Sequence, residues 1–241
     1  MKRIILMFIC WLPFVPFWYI KLRRLGNTQK YDAKTRYDYV RMICKRAIQV
    51  SRVNVVCTGL ENIPKEPGYV FFPNHQGLFD SLLFIYTHEA PLSVVTKTEA
   101  RNIRLLRRVF DALDALTINR DDVRESMKVI IQMAENVSKG TNYVIFPEGT
   151  RSRNGNNLLP FKGGSFKAST KTKTPIVPVA IIDSYKPFDS NNIKKCTVQI
   201  HYMKPLYYED YKDMKTTEIA ELVHDMIQER INTELGISKN S

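Results

Sequence analysis

The sequence predicts an α/β fold, a single domain in which helices flank a largely parallel or mixed central sheet. Short apolar runs bounded by Gly or Pro indicate buried strands, as at residues 69–72 and 143–146. Longer stretches with apolar residues at helical spacing alternate with these runs, which is the pattern of α/β proteins. The chain has 241 residues and is 44% hydrophobic, so it is long enough to bury a sizeable core.

Residues 4–20 are almost wholly apolar or aromatic, with basic residues directly before and after them. A bilayer span needs about 20 apolar residues, and this run is shorter and contains Pro13 and Pro16, which kink or break a helix. We therefore expect a segment that enters one leaflet and returns, with a single spanning helix as the alternative. A cleaved signal peptide is disfavoured because Lys21 follows the apolar run with no small-residue cleavage site. The aromatic and basic residues expected at headgroup level are Trp11, Trp18, Tyr19, Lys21, Arg23 and Arg24.

A basic amphipathic helix is predicted next, between Thr35 and Val50, where apolar residues recur at helical spacing. Such a helix either faces a protein core or contacts a membrane surface. We take residues 1–51 as an N-terminal membrane-associated helical segment and residues 52–241 as the α/β domain.

Strands and helices alternate within the α/β domain. Gly59 and Pro64 follow the first strand, Pro73 ends the second, and Gly140 stops the helix before the fifth. The predicted strands are residues 53–57, 69–72, 92–97, 115–119, 143–146, 175–182 and 196–203. The predicted helices are residues 81–86, 101–110, 123–137 and 217–235. The second of these helices carries an arginine cluster that is either a solvated face or a contact for lipid headgroups: Arg101, Arg104, Arg107 and Arg108.

The charge balance favours an anionic partner. The chain carries 36 Lys and Arg against 24 Asp and Glu, a net charge of +12 that suits a nucleic acid, an anionic membrane or a phosphorylated substrate. Nucleic acid is disfavoured because the aromatic residues concentrate in the N-terminal segment and in buried strands, not among exposed basic residues. The 4 cysteines form no CxxC pair and are expected to be buried thiols in a reducing compartment.

A histidine and a carboxylate follow the second strand together. His75 and Asp80 are too far around a continuous helix to meet, at roughly 140° apart. They can meet only if His75 lies in the loop before a helix and Asp80 in its first turn, with Gly77 easing the turn. The carboxylate would then fix the imidazole tautomer and leave the other nitrogen basic. The alternative is that His75 caps the helix and Asp80 only complements its N-terminal charge.

Further candidate groups stand at other predicted strand ends. Glu148 and Arg151 follow the fifth strand, where both could project into one cleft or could form an exposed ion pair on a turn. Lys97 and Arg120 each end a strand and could be simply solvated. The paired glycines within residues 161–165 would let backbone amides approach a phosphate or an oxyanion.

Several other chemistries lack their sequence signatures. The chain has no P-loop, no GxSxG elbow and no dinucleotide fingerprint. His88, His201 and His224 lie far from His75 along the chain, so no zinc site is expected. We therefore expect neither a metal nor a cofactor.

Four motifs resemble those of the glycerolipid acyltransferases, in particular the 1-acylglycerol-3-phosphate acyltransferases. They are Asn-His-Gln-x-x-x-Asp at 74–80, Thr-Ile-Asn-Arg at 117–120, Phe-Pro-Glu-Gly-Thr-Arg-Ser at 146–152 and Ile-Val-Pro-Val-Ala at 176–180. The resemblance covers roughly residues 53–203 and implies acyl transfer from acyl-CoA or acyl carrier protein to the sn-2 hydroxyl of lysophosphatidate. It also implies a membrane-associated enzyme whose active site is on the cytoplasmic face.

The resemblance further implies a role for each matching residue. His75 would take the proton from the acceptor hydroxyl, and Asp80 would orient the imidazole. The substrate-binding residues would be Glu148, Gly149, Thr150, Arg151, Arg120 and Lys97, with the glycerol phosphate held chiefly by Glu148 and Arg151. The second motif departs from the family pattern, because Ala115 and Thr117 stand where a glycine usually precedes the arginine.

Two alternatives keep the fold and change the function. The chain could acylate a different lysolipid, such as a lyso-ornithine lipid, or it could be a membrane-bound lipid-binding protein without catalysis. The acceptor headgroup, the chain length and the carrier of the donor depend on the lining of the substrate cleft.

Overall fold

Seven strands form one mixed sheet in the computed structural model, which describes residues 2–119 and 122–237. The strands are β1 (Val53–Thr58), β2 (Val70–Pro73), β3 (Leu92–Lys97), β4 (Leu116–Ile118), β5 (Asn142–Val144), β6 (Ile176–Ile182) and β7 (Cys196–Tyr202). Their order is β1-β7-β6-β2-β5-β3-β4. The five strands from β6 to β4 are parallel, whereas β7 runs antiparallel to β6 and pairs in parallel with β1. The predicted mixed α/β sheet is thus confirmed.

Helices cover both faces of the sheet. They are α1 (Lys2–Trp11), α2 (Val15–Leu25), α3 (Ala33–Ser51), α4 (Phe79–Thr87), α5 (Arg104–Ala112), α6 (Val123–Ser138), α7 (Lys167–Thr172), α8 (Lys186–Asp189), α9 (Tyr208–Tyr211) and α10 (Thr216–Glu234). Helices α2 to α5 contribute to the hydrophobic core on one face, and α6, α7 and α10 to the core on the other. Because both faces are covered, β2 and β6 are buried at every residue and read as continuous apolar runs.

The main predicted elements are present, with small shifts at their ends. The fifth strand ends at Val144, two residues earlier than predicted, and α5 is preceded by a 3₁₀ turn at Thr98–Asn102. Helices α7, α8 and α9 were not predicted, because elements of four to six residues are too short to show helical periodicity.

The N-terminal run is broken as predicted, and α1 and α2 meet at 84°. Pro13 lies in the break, whereas Pro16 lies in the first turn of α2, where a missing N–H costs nothing. Among the described helices, none alone is long and apolar enough to cross a bilayer. The bent pair reaches that length and composition only together.

The two N-terminal helices pack against the sheet domain while exposing one apolar side. Leu22 and Leu25 are fully buried in the core that they share with α3, α4 and α5. Arg3 is also buried and donates hydrogen bonds to the carbonyls of Ser51, at 2.5 Å, and Lys194, at 2.7 Å. The opposite side leaves several large apolar side chains more than half exposed: Ile5, Phe8, Ile9, Leu12, Phe17 and Ile20.

Candidate active site

His75 lies in the loop after β2, at the carboxyl edge of the parallel strands, and Asp80 lies in the first turn of α4. Nδ1 of His75 is 2.7 Å from Oδ2 of Asp80, so the predicted loop-to-helix geometry is formed. The Asp80 side chain is fully buried, and that of His75 is 16% exposed. Because a carboxylate only accepts hydrogen bonds, Nδ1 carries the proton and Nε2 carries the lone pair. No hydrogen bond within the described part of the chain occupies Nε2.

The buried Asp80 carboxylate accepts three more hydrogen bonds. The backbone amides of Gln76 and Gly77 donate to Oδ2 at 2.7 and 3.0 Å. The Ser184 hydroxyl donates to Oδ1. A buried charge is costly unless it is fully hydrogen-bonded, and these donors meet that need. The pair therefore has the geometry of a preorganised general base, and Asp80 does more than complement the charge of the helix N-terminus; the catalytic role of His75 stays a prediction.

The residues that flank His75 are anchored to the end of β6. Asn74 exchanges two hydrogen bonds with the backbone of Ile181, at 3.0 and 2.8 Å. Gln76 accepts from the Ser184 amide at 2.8 Å and donates to the Asn156 side chain at 2.7 Å. Sequence reasoning missed Ser184 and Asn156, because only the β2–β6 neighbourhood brings these distant segments together.

Glu148 faces inward, which corrects the prediction that its side chain and that of Arg151 project into one cleft. Its side chain is 2% exposed. Oε1 accepts the backbone N–H of His75 at 2.7 Å, and Oε2 accepts that of Leu159 at 3.3 Å. Burial raises the pKa of Glu148 to about 7. In this geometry Glu148 holds the backbone of His75, and its assignment to substrate binding stays a prediction.

The loop from Gly149 to Ser152 lies against the same histidine. Gly149 has a φ of 73°, which favours glycine, and the amide of Ser152 donates to the His75 carbonyl at 2.9 Å. Thr150 is exposed and Arg151 is half-buried. Arg151 forms no hydrogen bond or ion pair with any residue in the described ranges, so the predicted alternative of an exposed Glu148–Arg151 pair is not formed. Its guanidinium is available for an anion beside the base.

Two further cations were predicted at strand ends. Lys97 is exposed at the end of β3, and Arg120 lies outside the described residues. No described contact joins Lys97 to His75. Lys162, in the 161–165 stretch noted for its glycines, lies close to the loop beside His75, because a Cβ on Gly149 would lie 2.8 Å from its Nζ.

The paired glycines have a packing explanation. A Cβ on Gly163 would lie 3.0 Å from the backbone of Thr216, so this glycine lets the loop approach the start of α10. A Cβ on Gly164 would meet nothing within 4 Å. The anion-binding hypothesis for these amides stays a prediction.

An apolar cavity of ≈ 310 Å³ opens beside the histidine. The ring of Phe146 stacks on that of His75, with centroids 4.1 Å apart, and also lines the cavity. Six of the twelve lining residues are apolar, and the others are two lysines, two serines and two glycines. The lining residues besides Phe146 are Val95, Ile118, Ser126, Met127, Ile130, Ile145, Gly149, Lys162, Gly164, Ser165 and Lys167. An apolar group in the cavity could therefore contact the Phe146 ring, on which the His75 ring stacks.

The fold is an α/β domain, and its candidate site combines a histidine–aspartate pair suited to general-base chemistry with a neighbouring cavity. Within the described residues, no group of three or more His, Cys, Asp or Glu side chains is placed to hold a metal ion. The sequence profile described as Acyltransferase matches residues 54–182, more than half of the chain. The chain therefore belongs to the acyltransferase family, and the resemblance inferred from its motifs is confirmed.

Individual relatives agree with this assignment. The chain is 28% identical to the 1-acyl-sn-glycerol-3-phosphate acyltransferase of Borreliella burgdorferi, over 80% of this chain and 78% of the relative. It is 26% identical to the enzyme of that name from Cocos nucifera, over 64% of this chain but only 51% of the relative. The crystal structure of the 1-acyl-sn-glycerophosphate acyltransferase PlsC from Thermotoga maritima has the same fold, with a TM-score of 0.80 and 22% identity. That alignment covers 100% of this chain and 97% of the other.

Proposed function

We propose that this protein transfers a fatty acyl group from a thioester to the sn-2 hydroxyl of 1-acylglycerol-3-phosphate, which gives phosphatidate for phospholipid biosynthesis. The observation that carries the proposal is the 2.7 Å contact between Nδ1 of His75 and Oδ2 of Asp80, with Nε2 left unoccupied by the described residues. The names of the relatives support lysophosphatidate as the acceptor.

The chemistry follows from this pair. Nε2 of His75 removes the proton from the acceptor hydroxyl while the hydroxyl oxygen attacks the carbonyl carbon of the thioester. The tetrahedral intermediate then collapses, the carbon–sulfur bond breaks, and the leaving thiolate takes the proton back from the imidazolium. Asp80 stabilises the imidazolium between the two steps. No enzyme nucleophile is needed, because the acceptor hydroxyl attacks the thioester directly. No cofactor is needed either, because the acyl donor is itself a substrate.

The acceptor phosphate is assigned to the loop beside His75. Arg151 offers two parallel N–H donors without a competing protein partner in the described ranges, and Thr150 adds an exposed hydroxyl. Gly149 lets Lys162 approach the same loop. Lys97 and Arg120 remain proposed contributors, and Glu148 acts by holding the His75 backbone.

The donor chain is assigned to the cavity that Phe146 lines. The apolar side chains of this cavity suit a fatty acyl group. The carrier of that chain is acyl-CoA or acyl carrier protein. Both are cytoplasmic, so we propose that the active site is on the cytoplasmic face of the membrane.

The N-terminal segment is assigned to the membrane. The exposed apolar side of α1 and α2 would enter one leaflet, where the lysolipid resides. In this proposal residues 1–51 are the membrane-associated segment and residues 52–241 carry the catalytic site.

The test is an acyl-transfer screen in detergent micelles that measures thiol release and product for several labelled lysolipids, with both donor carriers side by side. We expect lysophosphatidate to be acylated most efficiently, ahead of lysophosphatidylethanolamine and a lyso-ornithine lipid. A protein that binds these lipids but releases no thiol would be a lipid-binding protein, against our proposal.

The catalytic role of His75 is tested by His75→Ala. We expect at least about a 100-fold loss of turnover, the typical contribution of a general base, with the fold retained. The control is His224→Ala, since His224 also contacts an aspartate, Asp225, at 3.1 Å but lies on α10. Near-normal turnover by His75→Ala would refute the assignment.

A further inference from the structure

Helix α5 packs along α2, so its arginines lie next to the apolar N-terminal helices. The Arg108 guanidinium lies 5.6 Å from the ring centroid of Tyr19. It also contacts Asp111 at 3.3 Å, and Arg101 contacts the same carboxylate at 3.3 Å. One acidic side chain thus serves two arginines at this junction.

Two more arginines lie on the same helix faces as Tyr19 and Arg108. Arg23 is four residues after Tyr19 on α2, and Arg104 is four residues before Arg108 on α5. A hydrogen bond with Arg108, together with the charges of Arg108, Arg23 and Arg104, lowers the pKa of the Tyr19 hydroxyl. Arg23 and Arg104 are both exposed, and neither forms a hydrogen bond or an ion pair with another residue in the described part of the chain. Within residues 2–119 and 122–237, no acidic partner therefore neutralises either charge.

The cluster lies beside exposed apolar side chains. Phe17 and Ile20 are 71% and 52% exposed, and Arg23 follows Ile20 by three residues on the same helix, so these side chains are neighbours along α2. An interfacial helix lies in the membrane plane with its apolar side among the acyl chains and its basic residues at the headgroups. When Phe17 and Ile20 lie among acyl chains, the arginines are therefore beside the lipid phosphates.

We propose that Tyr19, Arg23, Arg104 and Arg108 form a binding site for the phosphate of an anionic phospholipid in the bilayer. The site is built by α2 and α5 and shares no residue with the reaction site around His75. Guanidinium groups bind phosphate oxygens through parallel N–H donors, and the Tyr19 hydroxyl can add one more. The inference rests on the proposed membrane association and adds a lipid preference to it.

Vesicle binding tests this site. Wild-type protein is compared with Arg23→Gln/Arg104→Gln on phosphatidylcholine vesicles with and without phosphatidylglycerol. We expect the double variant to lose about 30-fold in partitioning to the anionic vesicles, as expected for two surface cations, and to match wild type on neutral ones. Added sodium chloride should narrow the difference between wild type and the double variant on anionic vesicles, and inorganic phosphate at equal ionic strength should narrow it no further. Stronger competition by inorganic phosphate would show a site for free phosphate instead of a lipid headgroup.

The matched control is Arg124→Gln/Lys128→Gln, which removes two exposed cations from α6. We expect it to keep wild-type partitioning within about threefold. An equal fall in both double variants would reduce the effect to net charge and overturn the site, as would no fall in either. Acyl transfer in detergent micelles should be unchanged in Arg23→Gln/Arg104→Gln, because these arginines lie outside the reaction site. The vesicle assay measures binding alone, so an absence of transfer activity in the wild-type protein would count against the proposed function and not against this lipid site.

Discussion

Asp80 and Glu148 are two buried carboxylates that support one histidine in different ways. Among the described residues, Asp80 accepts from the imidazole, two backbone amides and a hydroxyl, whereas Glu148 accepts from two backbone amides alone. In the proposed mechanism the first arrangement orients the imidazole and stabilises its protonated form, and the second fixes the backbone of His75. Replacing each by its amide should therefore affect different properties.

Asp80→Asn should lower kcat by about 10²–10⁴-fold. The NH₂ group of asparagine cannot accept any of the hydrogen bonds that His75, Gln76, Gly77 and Ser184 donate to the carboxylate. Steady-state kinetics in micelles measures the loss, and circular dichroism reports whether the fold survives. Asp225→Asn is the matched control, since it alters the other histidine–aspartate contact. A loss of less than about tenfold would show that Asp80 is a helix-terminal charge only.

Glu148→Gln should change how stability depends on pH. The pKa of Glu148 is raised to about 7, above its ordinary value of 4.5, so its contribution is present below pH 4.5 and lost as pH rises through 7. Between pH 5 and 8 the wild-type free energy of unfolding should fall by about 2–3 kcal/mol more than that of the variant. Urea unfolding at both pH values, in one detergent, measures this difference. Identical pH dependence in the two proteins would contradict the buried, neutral carboxyl.

At the scale of elements, the features that depend on neighbouring residues in the sequence were predicted correctly. The apolar runs predicted β2 and β6, and the spacing of His75 and Asp80 predicted their contact. The antiparallel direction of β7 and the attachment of Ser184 to Asp80 arise from pairing between distant segments, which no local pattern encodes. Glu148 was misplaced for the same reason, because its partners are backbone amides of other loops.

The apolar side chains exposed on and between α1 and α2 allow the proposed membrane contact to be tested. Leu12 and Phe17 are 70% and 71% exposed, so Leu12→Ser/Phe17→Ser would remove the proposed apolar contact with lipid but little packing. We expect partitioning to neutral vesicles to fall at least about 100-fold, since each buried side chain of this size contributes about 1.5–3 kcal/mol. Leu60→Ser/Ile237→Ser, which alters exposed apolar residues elsewhere, is the control. Unchanged partitioning of the first variant would exclude these helices as the membrane contact.

At the scale of the whole molecule, the N-terminal helices pack against the rest of the chain on one side and expose an apolar surface on the other. Trp18, Leu22 and Leu25 are at most 4% exposed, and the last two belong to the core shared with α3, α4 and α5. Arg3 adds two hydrogen bonds, one to the carbonyl of Ser51 at the end of α3 and one to that of Lys194 before β7. The N-terminal helices are thus part of the folded core.

Deletion of residues 1–31 should therefore destabilise the remaining chain instead of releasing a soluble enzyme. Losing the three buried side chains costs about 5–9 kcal/mol at about 1.5–3 kcal/mol each, which is comparable to the whole stability of about 5–15 kcal/mol of a typical domain. The truncated chain should aggregate or unfold at a much lower temperature in detergent, whereas Leu12→Ser/Phe17→Ser should keep the wild-type Tm. A truncated protein with the wild-type Tm and full activity in micelles would mean that the N-terminal helices contribute to membrane contact alone.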